Sequence, residues 1–425
     1  MIIMAKITAA ITLLVISLVM VNVWFMHGSN AVFRLKTHDD DNSELRISDE
    51  KKILDGLEQT GRDQNVKLDK IIAVLENSQP DVFPKTPKQF ANSQNIKSPP
   101  TTKKPDPYKC MDCLLKLPAR DHITDIPEAE KNHPLTTYSQ RRDYPVLISK
   151  PDLDDNYPKS TKLVKVLFAI KSICQSHDRR EAVRHTWASS AFNHLHTNYA
   201  SSIVFLLGAC KTQEDQRKVE QEDFYTKDII QWDFHDSFTN LTVKECLFLQ
   251  YSKRNLTVVT HIFKGDDDVF VNPIALGKVI SNQIDQDDIF LGSSMGRAPR
   301  ITDVNNRYFV PKILYPHDKY PPYVSGGGYI MSKVITDKLF EASLKNWIFP
   351  IDDAFVGVLL NTVNKMPGEY HYFRSWGNDF NGDMETGCFW HEEILTFHKV
   401  TPEQMIRYWS LFFGSLGTCS KGDRG

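Results

Sequence analysis

Val258-Val259-Thr260-His261-Ile262-Phe263-Lys264-Gly265-Asp266-Asp267-Asp268-Val269-Phe270-Val271 reads as an apolar strand that runs into three successive carboxylates and then turns apolar again. So much negative charge beside a core is costly unless a cation or basic side chains offset it. A divalent metal is the simplest compensation, and carboxylate oxygens suit Mg²⁺ or Mn²⁺. If the segment stays extended, Asp266 and Asp268 project to the same side. A solvated acidic turn after a strand is the plainer alternative.

Outward from this run, the chain from Lys162 onward alternates short apolar stretches with helix-like ones. Strands are expected at Leu163 to Ile170, Ile203 to Gly208 and Val258 to Phe263, with helices at Arg179 to Trp187, Leu241 to Ser252 and Pro402 to Trp409. That alternation predicts an α/β domain with a largely parallel sheet, over 151–425. Ligands of such sheets collect beyond the carboxyl ends of strands, which is where the acidic run falls.

Three further segments carry candidate chemistry. In Phe349-Pro350-Ile351-Asp352-Asp353-Ala354-Phe355, Pro350 suits the first turn of a helix. Asp352 and Asp353 then either compensate the helix dipole or supply a general base held among apolar neighbours. Tyr323-Val324-Ser325-Gly326-Gly327-Gly328 reads as an aromatic lead into a triple-glycine turn, with backbone able to approach a ligand and tyrosine faces for sugar rings. It lacks the spacing of a phosphate loop. His398, at the end of Ile394-Leu395-Thr396-Phe397, is either a packed histidine or the third ligand of a metal site with the acidic run.

Before the domain, Ile7 to Met26 is an uncharged apolar run about as long as a bilayer is thick. Its bulky end at Trp24, Phe25 and Met26 favours an uncleaved anchor over a cleaved signal peptide. Residues 1–6 would form a short tail, 7–26 the anchor, and 27–150 a largely flexible stem, with a helical stretch at Lys51 to Leu75. Seven cysteines lack a zinc framework, and some should pair if the domain is lumenal, though which ones is not readable. Sequons at Asn240 and Asn255 suit a secretory compartment. A formal net charge of -2 provides no overall field for nucleic acid.

Taken together, the segments resemble the β-1,3-glycosyltransferase family that contains the β-1,3-galactosyltransferases, the β-1,3-N-acetylglucosaminyltransferases and the fringe enzymes. The resemblance covers about Leu163 to Trp409. It rests on Ala169-Ile170-Lys171-Ser172 with Arg179-Arg180-Glu181-Ala182-Val183-Arg184-His185-Thr186-Trp187, on Val204 to Gly208, on Asp228 to Phe238 leading to Asn240-Leu241-Thr242-Val243-Lys244-Glu245, and on the acidic, glycine and Asp-Asp segments above.

The resemblance implies a GT-A type, Rossmann-like fold behind a signal anchor in the Golgi membrane, a single-pass type II topology, and a UDP-sugar donor with Mn²⁺ (or Mg²⁺). It implies Asp268, Asp266 and His398 as metal ligands and Asp353, aided by Asp352, as the base. Lys171, Arg180, Arg184, Lys264, Asp266 and Asp267 would line the nucleotide, and Trp232, Tyr323, Gly326, Gly327 and Gly328 the sugar pocket. Phe234 to Phe238, Phe373 to Trp376 and Val400 to Ile406 are closer to the N-acetylglucosaminyl branch, which implies UDP-GlcNAc and a β-galactose-terminated acceptor on glycoprotein or glycolipid.

Ser325 before the glycines and Ala354-Phe355 after the acidic pair depart from the usual family residues on the acceptor side. A galactosyltransferase using UDP-galactose, a non-catalytic membrane-tethered glycan-binding protein and a silent chaperone in homo- or hetero-oligomers with other transferases are the competing readings.

Overall fold

The computed structural model describes residues 117, 119–120, 123–159, 163–283, 288–374 and 394–416. All belong to one compact unit, Thr102–Gly425. The anchor expected at 7–26, the helical stretch at 51–75 and most of the stem lie outside these residues. No helix among the described residues is long and apolar enough to cross a membrane.

Four parallel strands form the middle of the domain: β2 (Lys165–Lys171), β3 (Ala200–Ala209), β4 (Ile229–His235) and β5 (His261–Asp266). With β1 (Val146–Ile148), β7 (Phe290–Gly296), β8 (Tyr323–Ser332) and β9 (Gly368–Glu369) they make one sheet in the order β1-β4-β3-β2-β5-β8-β7-β9. The sheet is more mixed than expected: β1, β7 and β8 all pair antiparallel with a neighbour. Alternate residues feed two cores. Leu167, Ala169, Val204, Leu206 and Ile262 face one; Val166, Phe168, Ile170, Phe205 and Phe263 face the other.

Helices cover both faces. On the first side lie α4 (Leu241–Asn255), α6 (Lys333–Ser343) and α7 (Asp352–Thr362), through Val243, Leu247, Leu339 and Leu359. On the second lie α1 (His177–His185), α3 (Gln213–Thr226), α5 (Pro273–Ser281) and α8 (Pro402–Gly414), through Val183, Val219, Leu276 and Phe412. The short α2 (Ser190–His196) follows α1. Local signals set several starts: Asn272 caps α5 ahead of Pro273, and Thr401 forms a capping box with Gln404 on α8. Pro350 ends up just before α7 rather than in its first turn.

The chain leaves β2 to build β3 and β4 on one side, then crosses through α4 to place β5 on the other. The reversal opens a crevice at the carboxyl ends of β2 and β5, where Lys171 and Asp266 are register partners. A second sheet, β10 (Phe373–Arg374), β11 (Thr396–His398) and β6 (Val269–Val271), stands beside that crevice.

Candidate active site

The acidic run straddles a strand end. Asp266 closes β5, Asp267 and Asp268 make the turn, and β6 begins at Val269. Because β6 pairs antiparallel with β11 and Val269 partners His398, a histidine 130 residues downstream of Asp268 comes to rest against the turn. The Val400 amide donates to the Asp268 carbonyl at 2.9 Å and fixes the approach.

His398 Nε2 lies 3.2 Å from Asp268 Oδ1 and 3.8 Å from Asp266 Oδ2. Ligand atoms of Asp266, Asp268 and His398 all fall within 4.8 Å of one another. Two carboxylates and one imidazole converging on a single point fit a hard divalent ion such as Mn²⁺ or Mg²⁺.

Asp267 turns the other way. It accepts from Ser172 Oγ at 2.7 Å and from Arg179 at 3.4 Å. Burial pushes its carboxyl up to about 6 despite those partners. It is therefore a brace for the turn rather than a third ligand.

Two cations flank the acids. Lys171 Nζ sits 3.1 Å from Asp266 and 2.6 Å from Asp352, tying the two acidic segments together. Burial alone would lower the Lys171 ammonium, but Asp266 and Asp352 outweigh it and hold it well above its ordinary value. Arg179, half-buried, reaches Asp268 at 3.2 Å. Burial would raise Asp268, but the hydrogen bond with His398 and the charges of His398 and Arg179 keep it below the usual carboxylate range.

Asp352 and Asp353 open α7 and have opposite fates. Asp352, half-buried, is paired with Lys171, which overcomes desolvation and keeps its carboxyl low. Asp353 has no basic side chain in contact among the described residues. Burial first, then the neighbouring Asp352 charge, lift its carboxyl to about 7, while the Ala354 amide donates to it at 2.8 Å. A carboxyl with that affinity for protons can take one from a hydroxyl near neutral pH.

The glycines do not form the expected turn. Gly326, Gly327 and Gly328 lie inside β8. Gly327 makes room for His398, since a Cβ there would stand 2.8 Å from Nδ1, whereas one on Gly326 would make only ordinary contact with Lys171 Nζ at 3.6 Å. Gly328 also has φ of +127°, which a side chain would strain.

Several expected residues are placed elsewhere. Arg180 is fully buried and bound to Glu222 through Nη2 at 2.6 Å, and Arg184 is held by Glu222 and Asp228. Lys264 is buried against Glu245 and the Phe248 ring. None of the three has a guanidinium or ammonium free to meet a nucleotide. Trp232 packs in the first core, and Tyr323 is buried with its Cβ against Gly357. The face that a sugar would stack on is covered in both.

The Asn240 and Asn255 amides are half-buried and donate to the carbonyls of His235 and Tyr251. Arg179 and Ser172 contact the acidic turn although the sequence assigned them no role. The helical phase of α1 was the available signal, since adjacent arginines on a helix point about 100° apart.

A disulfide joins Cys174 and Cys210, in the loops after β2 and β3, and Cys246 is a free buried thiol.

Residues 178–367 match the family described as Galactosyltransferase. The UDP-GlcNAc:betaGal beta-1,3-N-acetylglucosaminyltransferase 7 of Rattus norvegicus is 36% identical over 290 residues, 67% of this chain and 71% of that protein. The N-acetyllactosaminide beta-1,3-N-acetylglucosaminyltransferase 2 of Homo sapiens is 30% identical over 296 residues, 68% of this chain and 70% of that one. Among solved structures, a galactosyltransferase in complex with donor and acceptor sugar analogs overlaps with a TM-score of 0.32 and 13% identity, covering 61% of this chain and 98% of its own. An overlap that small carries no weight for the fold.

Proposed function

Because this chain belongs to the galactosyltransferase family and is a hexosyltransferase, we propose that it moves GlcNAc from UDP-GlcNAc to the 3-OH of a β-galactose-terminated glycan, with inversion, in a GT-A type domain. The observation that carries the reading is the convergence of Asp266, Asp268 and His398 beside a separate carboxylate, Asp353, whose proton affinity is tuned to neutral pH. Relatives named for β-1,3-GlcNAc transfer support the donor and linkage.

In this scheme the acceptor O3 forms a bond to the anomeric carbon as the bond from that carbon to the UDP oxygen breaks. The O3 proton passes to Asp353. Asp266, Asp268 and His398 would hold Mn²⁺ or Mg²⁺, and the ion, when bound, offsets the charge that develops on the departing diphosphate. Lys171 keeps Asp352 ionised and paired, so the second carboxylate of α7 does not compete for the acceptor proton. Arg179 stands where it can turn from Asp268 towards a diphosphate.

The apolar run at 7–26 supports a type II anchor with a stem behind a lumenal catalytic domain, and the Cys174–Cys210 disulfide suits an oxidising compartment such as the Golgi lumen. The test is a transfer assay of the full-length chain with Mn²⁺, both UDP-GlcNAc and UDP-galactose, and an array of acceptors. Transfer from UDP-GlcNAc to galactose-terminated acceptors is expected. Preferred use of UDP-galactose would overturn the donor, and no transfer from either would overturn the reading.

A further inference from the structure

Near the carboxyl end of α7 the protein carries a cavity of about 320 Å³, lined by Tyr315, Trp347 and Phe349 among others. Asn361 on its rim is eight residues along α7 from Asp353, about 12 Å down the helix axis. Arg120 lines the cavity with its guanidinium over the Trp347 ring, 4.4 Å from the centroid.

Arg120, itself half-buried, is an exception among the guanidiniums drawn into the domain. Arg180 is matched by Glu222, Arg184 by Asp228 and Arg300 by Glu130, while Arg142 donates to the carbonyls of Gln140 and Asn346. Nη1 of Arg120 is buried and has no hydrogen-bond partner. No aspartate or glutamate is among the described residues lining the cavity. Burial without a counter-charge draws the Arg120 guanidinium down to about 10.

The polar groups around it are unevenly engaged. Asn346 donates to Ala342 O and Thr362 Oγ1, and Thr362 donates to Val358 O. His317 and Asn361 are exposed at the mouth and available to a ligand. Hydrogen-bonding groups at the rim and one unmatched cation suit a sugar that bears an oxyanion.

We propose that this cavity binds an anionic saccharide, with a carboxylate or sulfate ester received by Arg120 and sugar hydroxyls by His317 and Asn361 at the mouth. Guanidinium geometry matches a planar pair of oxyanion oxygens, and the Trp347 ring holds the guanidinium plane in place.

The experiment is a calorimetric titration of the full-length chain with three oligosaccharides on one galactose-containing backbone: unmodified, sulfated and sialylated. The sulfated or the sialylated form is expected to bind roughly tenfold or more tightly than the neutral parent, and the tighter of the two identifies which oxyanion the site takes. Arg120→Gln should erase that preference. Asn361→Asp, an exposed change that adds a carboxylate at the mouth, should weaken the anionic forms several-fold and leave the neutral one unchanged.

Equal affinity for all three sugars overturns the proposal, and so does Arg120→Gln that melts normally and keeps the preference. If Arg120→Gln does not fold, unchanged anion binding by Asn361→Asp overturns it. No donor is present in the titration, so a negative result leaves the transfer reaction untouched.

Discussion

Replacing Asp353 with Asn should stabilise the fold and stop the reaction. The buried carboxyl is raised from its ordinary 3.8 to about 7, so between those values the folded state holds a proton that the unfolded chain has lost. Stability therefore falls as pH rises through that window and levels off above about 7. The full penalty is on the order of 4 kcal/mol, at about 1.4 kcal/mol for each tenfold change in proton affinity. Asn accepts the Ala354 amide hydrogen bond as Asp353 does, yet carries no charge.

Thermal melts from pH 4 to 9 should then show the variant above the parent by ~5–10 °C at pH 8, with the gap closing towards pH 4. Turnover should fall roughly 10²- to 10⁴-fold, while UDP binding is unchanged. The parent's kcat should rise with pH through about 7 as Asp353 loses its proton. Unaltered turnover, or a stability gap that ignores pH, refutes the assignment of the base.

Gly327→Ala removes no ligand atom but presses a methyl on His398, so Mn²⁺ affinity by calorimetry should drop roughly 10- to 100-fold. Arg180→Ala leaves Glu222 short of a buried partner and should cost about 3–5 kcal/mol in denaturant melts. Its neighbour Arg179→Ala removes a half-exposed guanidinium and leaves the buried Asp267 its Ser172 partner, so stability should change by about 1 kcal/mol or less, whereas calorimetry should show weaker UDP binding.

What the sequence made legible was whatever depends on local pattern. The apolar run before Asp266, the helix starts at Leu241 and Pro402, and the acidic pair opening α7 all follow from residues a few positions apart. The strand itself begins later than its apolar run, at His261, and continues through Lys264 and Gly265 to Asp266.

His398 needed more than local pattern. It is placed by the pairing of β11 with β6, a contact between segments far apart in the chain, so the residues alone left a packed histidine and a third ligand both open, and the family resemblance favoured the ligand. The glycine triplet misled, because three glycines in a strand and three in a turn look alike until the neighbours that need the space are known. Arg180 and Lys264 misled for a related reason. A basic residue beside a phosphate-site motif can equally serve a buried acid, and Glu222 and Glu245 are distant in sequence. The Cys174–Cys210 pairing was beyond reach for the same cause, since β2 and β3 had first to lie side by side.

The central claim is that Asp266, Asp268 and His398 form one divalent-metal site serving a UDP-sugar. Electron paramagnetic resonance of Mn²⁺ bound to the full-length chain with UDP tests it most directly. The account predicts one bound ion with nitrogen coupling from a single imidazole, the coupling vanishing in His398→Gln and the bound ion itself lost in Asp268→Asn. Tight Mn²⁺ binding that survives Asp268→Asn, or an imidazole signal that survives His398→Gln, would contradict it.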